Sequence, residues 1–389
     1  MNPAHWRSLS LIKGSPGRAS QTSLAGIRAV PFLNSWLLGL AMFLAVSAAQ
    51  LAADPSPATA SHSPLSRTNL LEYLDTAGRA HPVRSTRDWR KRREQIVHAL
   101  ESVMGPMPGA EKRCPLDVRI EEETDCGDYV RRFLTYASEP GSRVPAYLLI
   151  PKAALAGKRT APGMLCLHQT HALGQKVVVG LGQSPNDEYG VELVKRGYVC
   201  LAPAYPQLAN YAPDLKALGY ASGTMKAIWD NRRGLDLLES LPYVRRGKFG
   251  TIGHSLGGHN SVFTAVFDDR IKVVVSSCGL DAFRDYMGGN IKGWTSDRYM
   301  PRLLEYPRGE TPFDFDEIIG ALAPRAVLIS APLGDTNFRW RSVDDVARHA
   351  RPVYELTGSP ASCAWSILIA RTSFRARCAS RRINCWTRC

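Results

Sequence analysis

The sequence predicts an α/β protein built on a mostly parallel central sheet, with an antiparallel N-terminal edge, helices on both faces and an altered C-terminal strand and helix. Two observations carry that expectation. Five short β-rich apolar runs, Gly163 to Leu167, Tyr198 to Ala202, Phe249 to Gly253, Ile271 to Ser276 and Arg325 to Ala331, alternate with helical segments. Such alternation requires parallel strands joined by crossover helices. Ahead of them, Leu116 to Glu121 and Tyr129 to Ile150 read as strands of an antiparallel edge, the second broken by the turn Glu139-Pro140-Gly141-Ser142. With 389 residues, 44% of them hydrophobic, the chain has room for one large α/β domain or two small ones, which excludes disordered and fibrous classes.

Taken in order, residues 1–53 read as a signal peptide or anchor. Phe32 to Ala53 is uncharged, Trp36 to Leu44 is apolar, and the small residues Val46-Ser47-Ala48-Ala49 follow, the pattern of an export signal cleaved near Ala48 to Ala53. A retained anchor is the alternative, because the uncharged stretch approaches the ~20 residues that span a bilayer. The protein is therefore expected outside the cytoplasm, periplasmic or extracellular, or held at the membrane by that segment. Residues 54–115 read as a Pro/Ser/Thr linker followed by two helices, from Leu70, Leu71, Leu74, Trp89, Ile96, Leu100 and Val103 at helical spacing up to Gly105-Pro106. The α/β domain spans 116–358, with helices expected over Met225 to Leu241, Asn260 to Phe267 and Val343 to Leu356. Residues 359–389 form an anomalous tail, rich in Arg, Cys, Ser and Trp, without acids or a helical period.

The formal charge of +14 suggests an anionic partner until its distribution is examined. Setting aside the four cations of residues 1–53 and the six of residues 360–389 leaves 39 bases against 35 acids for residues 54–359. Nucleic acid is thus not an expected partner. Nine cysteines show no CxxC or Cys/His spacing, so no metal is expected, and nothing points to a cofactor. Cys166, Cys200 and Cys278 lie in apolar runs and read as core residues, whereas Cys114 and Cys126 are open to pairing in an exported protein.

The sharpest motif is Gly253-His254-Ser255-Leu256-Gly257-Gly258, a G-x-S-x-G between the strand-like Phe249 to Ile252 and the helix-capable Asn260 to Phe267. A strand that turns sharply into a helix crowds its backbone, so glycines flank a serine held strained and exposed. Ser255 is the candidate nucleophile, and the N–H of Leu256 the first donor to a developing oxyanion. A second donor is expected from the loop after the first parallel strand, at Gln169 or Thr170, with His168 shaping the pocket. Asp335, across Pro332-Leu333-Gly334 from the last apolar run, is the candidate acid that would orient a histidine base.

These residues resemble the α/β-hydrolase superfamily, in particular exported bacterial esterases similar to dienelactone hydrolases and acetyl xylan esterases. Beyond Gly253 to Asn260, the resemblance runs from about Asn69 to about Gly358 and rests on Leu167-His168-Gln169-Thr170, Arg196-Gly197-Tyr198-Val199, Gly293-Trp294, Tyr299-Met300-Pro301 and Leu322-Ala323-Pro324-Arg325. It implies Ser255 as nucleophile, Asp335 as triad acid, and carboxylic ester substrates, often acylated sugars, cleaved through an acyl-enzyme. His168, His254, Trp294 and Tyr299, with Tyr286 and Tyr306, are the candidates for substrate contact.

The departure is the histidine that the family places after one further helix and strand, before Phe-Pro. The last histidine, His349, comes only fourteen residues after Asp335, inside an expected helix, and reads as a packing residue. A shifted reading frame across the tail permits a histidine at 371/372, which makes Arg371 the neighbourhood of an ancestral base. Two alternatives to an active esterase follow, a catalytically impaired or non-enzymatic homologue and a peptidase of the same fold. A peptidase of this kind usually carries a propeller or large cap, and the residues ahead of the core are too few for a propeller.

Overall fold

The computed structural model describes residues 65–307, 309–359 and 363–368. The expected signal or anchor, most of the linker, and the tail positions around Arg371 lie outside the described residues. The elements are β1 (Glu72–Leu74), β2 (Ala80–Pro82), α1 (Thr86–Met104), β3 (Arg119–Asp125), β4 (Tyr129–Glu139), β5 (Ser142–Pro151), α2 (Lys152–Leu155), β6 (Ala161–Leu167), α3 (Tyr189–Lys195) and β7 (Val199–Pro203). They continue as α4 (Gly223–Ser240), β8 (Val244–His254), α5 (Leu256–Phe267), β9 (Ile271–Ser277), α6 (Phe315–Ala321), β10 (Ala326–Pro332), α7 (Trp340–Leu356) and β11 (Cys363–Leu368).

Nine strands form one sheet in the order β11-β10-β9-β8-β6-β7-β5-β4-β3. β3, β4 and β5 pair antiparallel, as does β5 with β7, while β6 to β11 run parallel. Both faces are covered. The larger cluster of buried apolar side chains includes Ile96, Trp229, Phe263, Ile318 and Val346 of α1, α4, α5, α6 and α7. The smaller holds Leu193 and Val194 of α3 and Val177 to Val179, with Cys166 and Cys200 of the strands between. Cys166, Cys200 and Cys278 are buried, as their apolar surroundings indicate.

Two expectations need correction, and the cysteine pairing left open is settled. The stretch read as two N-terminal helices is a β1–β2 hairpin followed by the single helix α1. The reason is local: the Asp75 carboxylate accepts from the N–H groups of Ala77 and Arg79, and Gly78 at φ +75 closes the turn, so Glu72 to Leu74 are extended despite the helix-like spacing of Leu70, Leu71 and Leu74. Cys114 and Cys126 are both free. They precede and follow β3, whose seven extended residues hold them apart. The C-terminal strand expected to be altered is present, formed by the tail residues Cys363–Leu368 as β11, which pairs in parallel with β10 from Val327↔Cys363 to Pro332↔Leu368. A strand asks only for β-capable residues and a free partner edge, and Cys-Ala-Trp-Ser-Ile-Leu supplies them.

Candidate active site

Ser255 stands between β8 and α5 with φ 52 and ψ −118, a strained backbone for a residue with a Cβ. The turn is held by the Ser255 N–H donating to Ser277 O at 2.8 Å and the Gly258 N–H donating to Ser255 O at 2.8 Å. The flanking glycines are obligatory for packing. A Cβ at Gly253 would lie 2.1 Å from Gly257 O, one at Gly257 1.8 Å from Leu167 O, and one at Gly258 2.9 Å from Gly279 Cα. Strand, turn and helix are thus pressed together until only hydrogens fit between them, which leaves Ser255 at the carboxyl end of β8.

Next to it, β6 ends at Leu167 and the chain runs into His168-Gln169-Thr170. The Leu256, Gln169 and Thr170 N–H groups make no backbone hydrogen bond among the described residues, so all three remain available as donors. His168 holds this loop in place. Its Nδ1 lies 2.8 Å from Gln169 O and its Nε2 accepts from the Tyr205 N–H at 3.1 Å, which fixes the tautomer with the proton on Nδ1. Burial lowers its imidazole to about 4, so it stays neutral at ordinary pH. With both nitrogens used on backbone, His168 shapes the loop and has no nitrogen left for a substrate.

Asp335 follows β10. Its Oδ1 accepts from the N–H groups of Asn337 at 2.9 Å and Phe338 at 3.2 Å, which fixes the carboxylate. Its Oδ2 is buried and has no hydrogen-bond partner among the described residues. Buried carboxylate oxygens are normally satisfied, so this one fits an acid that orients a partner in the working site. The Cys278 thiol lies beside it, pushed up by burial and by the Asp335 carboxylate. Cys278 itself has φ 46, and its N–H donates to Ser330 O at 2.9 Å across to β10.

None of the described histidines hydrogen-bonds Ser255. His254 places Nδ1 3.3 Å from Ser277 Oγ; burial lowers its imidazole, opposed by the charges of Asp187 and Asp335. The His259 Nδ1 lies 3.2 Å from Gly279 O, and burial brings its imidazole down to about 3. The His349 Nδ1 lies 2.6 Å from Asp316 Oδ1 on α6, which is the packing role its place in α7 suggests.

No protein-family model matches the chain. It is 26% identical over 283 residues to YtaP of Bacillus subtilis (strain 168), provisionally designated a hydrolase, covering 69% of this chain and 89% of that one. Among solved structures, the glucuronoyl esterase from Solibacter usitatus superposes with a TM-score of 0.65 at 18% identity, covering 82% of this chain and 97% of its own. A protein from Bacteroides fragilis NCTC 9343, provisionally designated an acetyl xylan esterase, gives a TM-score of 0.56 at 17% identity, over 77% of this chain and 88% of its own. A CE15 glucuronoyl esterase from Caldicellulosiruptor kristjansonii gives 0.60 at 18%, over 82% and 89%.

The fold is that of the α/β-hydrolases.

In an α/β-hydrolase the carboxyl ends of the parallel strands carry the chemistry. This chain brings Ser255, the 168–170 loop and Asp335 to the ends of β8, β6 and β10. The aromatic candidates divide. Trp294 is 3% exposed and packs on the rings of His259, Phe283, Tyr286, Phe315 and Phe338, so it is a wall residue and not a stacking platform. Tyr299 is half-buried and its hydroxyl lies 3.3 Å from Thr170 Oγ1, in the donor loop itself. Tyr286 is buried, while Tyr306 lies in a separate groove beside α1.

Three contributors escaped sequence reasoning. Tyr205 fixes His168 through its N–H and reaches Arg298 O through its hydroxyl. Cys278 is the residue beside the acid. Asp281 is fully buried, and its Oδ2 accepts from the Arg339 N–H at 3.0 Å, tying down the loop that begins at Asp335. The available signal was position, since each of these residues follows a parallel strand within four places, where this fold concentrates function.

Proposed function

We propose that this fold serves carboxylic ester hydrolysis through a Ser255 acyl-enzyme, on small or carbohydrate-borne esters, outside the cytoplasm. The observation that carries the reading is the pairing of two features on the same edge of the sheet, at the ends of β8 and, beyond β9, of β10: a strained serine elbow beside unspent N–H donors, and a carboxylate with one buried, unpartnered oxygen. Ser255 attacks the ester carbonyl. The N–H of Leu256 and one N–H from Gln169 or Thr170 hold the oxyanion, and Asp335 orients the base. Glucuronoyl and acetyl xylan esterase assignments among the structural neighbours support carbohydrate esters as the substrate class. The apolar leader supports export, and no described helix is long and apolar enough to cross a membrane.

We place the missing base near position 371, where a shifted reading frame permits a histidine. This chain has arginine there, a permanent cation that accepts no proton. The chain with Arg371 is therefore a weak esterase whose residual rate comes from the oxyanion donors and binding. The test is hydrolysis of p-nitrophenyl acetate and of acetylated xylo-oligosaccharides, with Ser255→Ala as the reference. Slow turnover that disappears in the variant supports the proposal. Turnover that survives the substitution refutes Ser255 as nucleophile, and no turnover in either protein favours a non-catalytic homologue.

A further inference from the structure

At the other end of β8 from Ser255, the starts of β6, β7, β8 and β9 and the end of α3 surround a cleft of about 400 Å³. Arg159, Arg196, Arg245, Lys248 and Lys272 line it, together with Tyr198, and no aspartate or glutamate does. All five cations are exposed. Arg196 meets Glu192 at 3.3 Å, and Lys272 Nζ donates to Asp269 O, whereas Arg159, Arg245 and Lys248 make no ion pair among the described residues. Arg245 and Arg196 both lie close enough to the Tyr198 hydroxyl to act on its titration. This concentration of charge is unlike the rest of residues 54–359, where bases and acids nearly balance.

Cations gathered without counter-charges repel one another, so their clustering costs stability unless an anion occupies the cleft. The cleft also indicates which anion. α3 ends here, bringing carbonyls and not the convergent N–H groups that seat a single phosphate. The positive charge sits on long side chains spread around an open wall with one half-buried phenol ring, which suits charges spaced along a polar chain. We propose that this cleft is a non-catalytic binding site for an acidic oligosaccharide, its carboxylates meeting Arg159, Arg245 and Lys248. The inference is independent of the activity proposed for Ser255.

The test is calorimetric titration of the full chain with unesterified oligogalacturonides, compared with the triple variant R159A/R245A/K248A and with Ser255→Ala. Binding should weaken roughly tenfold or more between 50 and 200 mM salt, as expected for a multiply charged ligand. It should weaken at least tenfold in the triple variant, whose melting temperature should stay within about 2 °C of the parent because only exposed side chains change. Ser255→Ala should bind like the parent. Binding that is unchanged in the triple variant would place the interaction on the basic chain ends and overturn the assignment. Three further outcomes would also overturn it: no binding at low salt, tighter binding of inorganic tripolyphosphate, or capture by anionic phospholipid vesicles in preference to the saccharide.

Discussion

At the scale of single residues, the elbow is the least forgiving part of the molecule. Gly257→Ala would drive a methyl carbon to 1.8 Å from Leu167 O, and both neighbours are backbone, so neither can rotate away. We expect it to destabilise by roughly 3 kcal/mol or more in urea titration and to remove serine-dependent turnover; a variant within about 1 kcal/mol of the parent would mean that the turn can relax. Asp281 has a different vulnerability. Burial raises its carboxyl to about 7, with the charges of Asp285 and Asp314 adding to the shift and the Arg339 N–H opposing it. The folded chain therefore keeps a proton that the unfolded chain, near its ordinary value of 3.8, releases. Stability from this group is fully present at low pH and falls as pH rises from about 4 to 7. Asp281→Asn should flatten that slope in melting curves recorded between about pH 4 and 8, and an unaltered slope would show that the proton resides elsewhere.

At the scale of elements, the strands that alternate with helices were legible because β-rich runs this short, bounded by turns and separated by helical segments, fit a parallel sheet and little else. The elbow was legible because motif and flanks coincide. The N-terminal hairpin was not, since Leu70, Leu71 and Leu74 satisfy a helical period over a stretch too short to separate the two readings, and the deciding interaction is the Asp75 turn. β11 was missed for a complementary reason: composition marked the tail as abnormal, but backbone pairing with β10 is indifferent to composition. The sequence reading of the tail turns the missing base into an experiment. Arg371→His should raise kcat/KM for p-nitrophenyl acetate by roughly 10²-fold or more, with an acid limb near pH 6.5. His168 and His259, lowered to about 4 and 3, stay neutral through that range and will not obscure it. A folded Arg371→His protein with no gain would show that the base is not completed from that position.

At the scale of the whole molecule, the site's walls depend on a buried polar network that sequence alone did not reveal. Lys226 is fully buried on α4, with Nζ 3.0 Å from Ser138 Oγ and 3.0 Å from Glu139 Oε1, and paired with Asp230 Oδ1. Tyr220 donates to Glu139 and Tyr211 to Asp230, each at 2.8 Å, so the segment that begins at Tyr205 and carries the His168 contact is tied to β4 and α4. Lys226→Met should cost roughly 3–5 kcal/mol in urea titration, because it strands the buried Asp230 carboxylate while Glu139 keeps its ion pair with Lys112, and adding Asp230→Asn should recover part of that loss. A single variant costing under about 1 kcal/mol would indicate that Asp230 is held neutral without the lysine.

The placement of β11 at the sheet's rim has a genetic consequence. The proposed nucleophile, oxyanion donors and acid are all encoded before residue 359, while β11, the last described strand, lies at one edge of the sheet. On the proposed mechanism, a lesion in the codons after 359 would remove the base while leaving the other proposed groups encoded. If the product still folds, such a lesion would escape the quality control that removes misfolded chains.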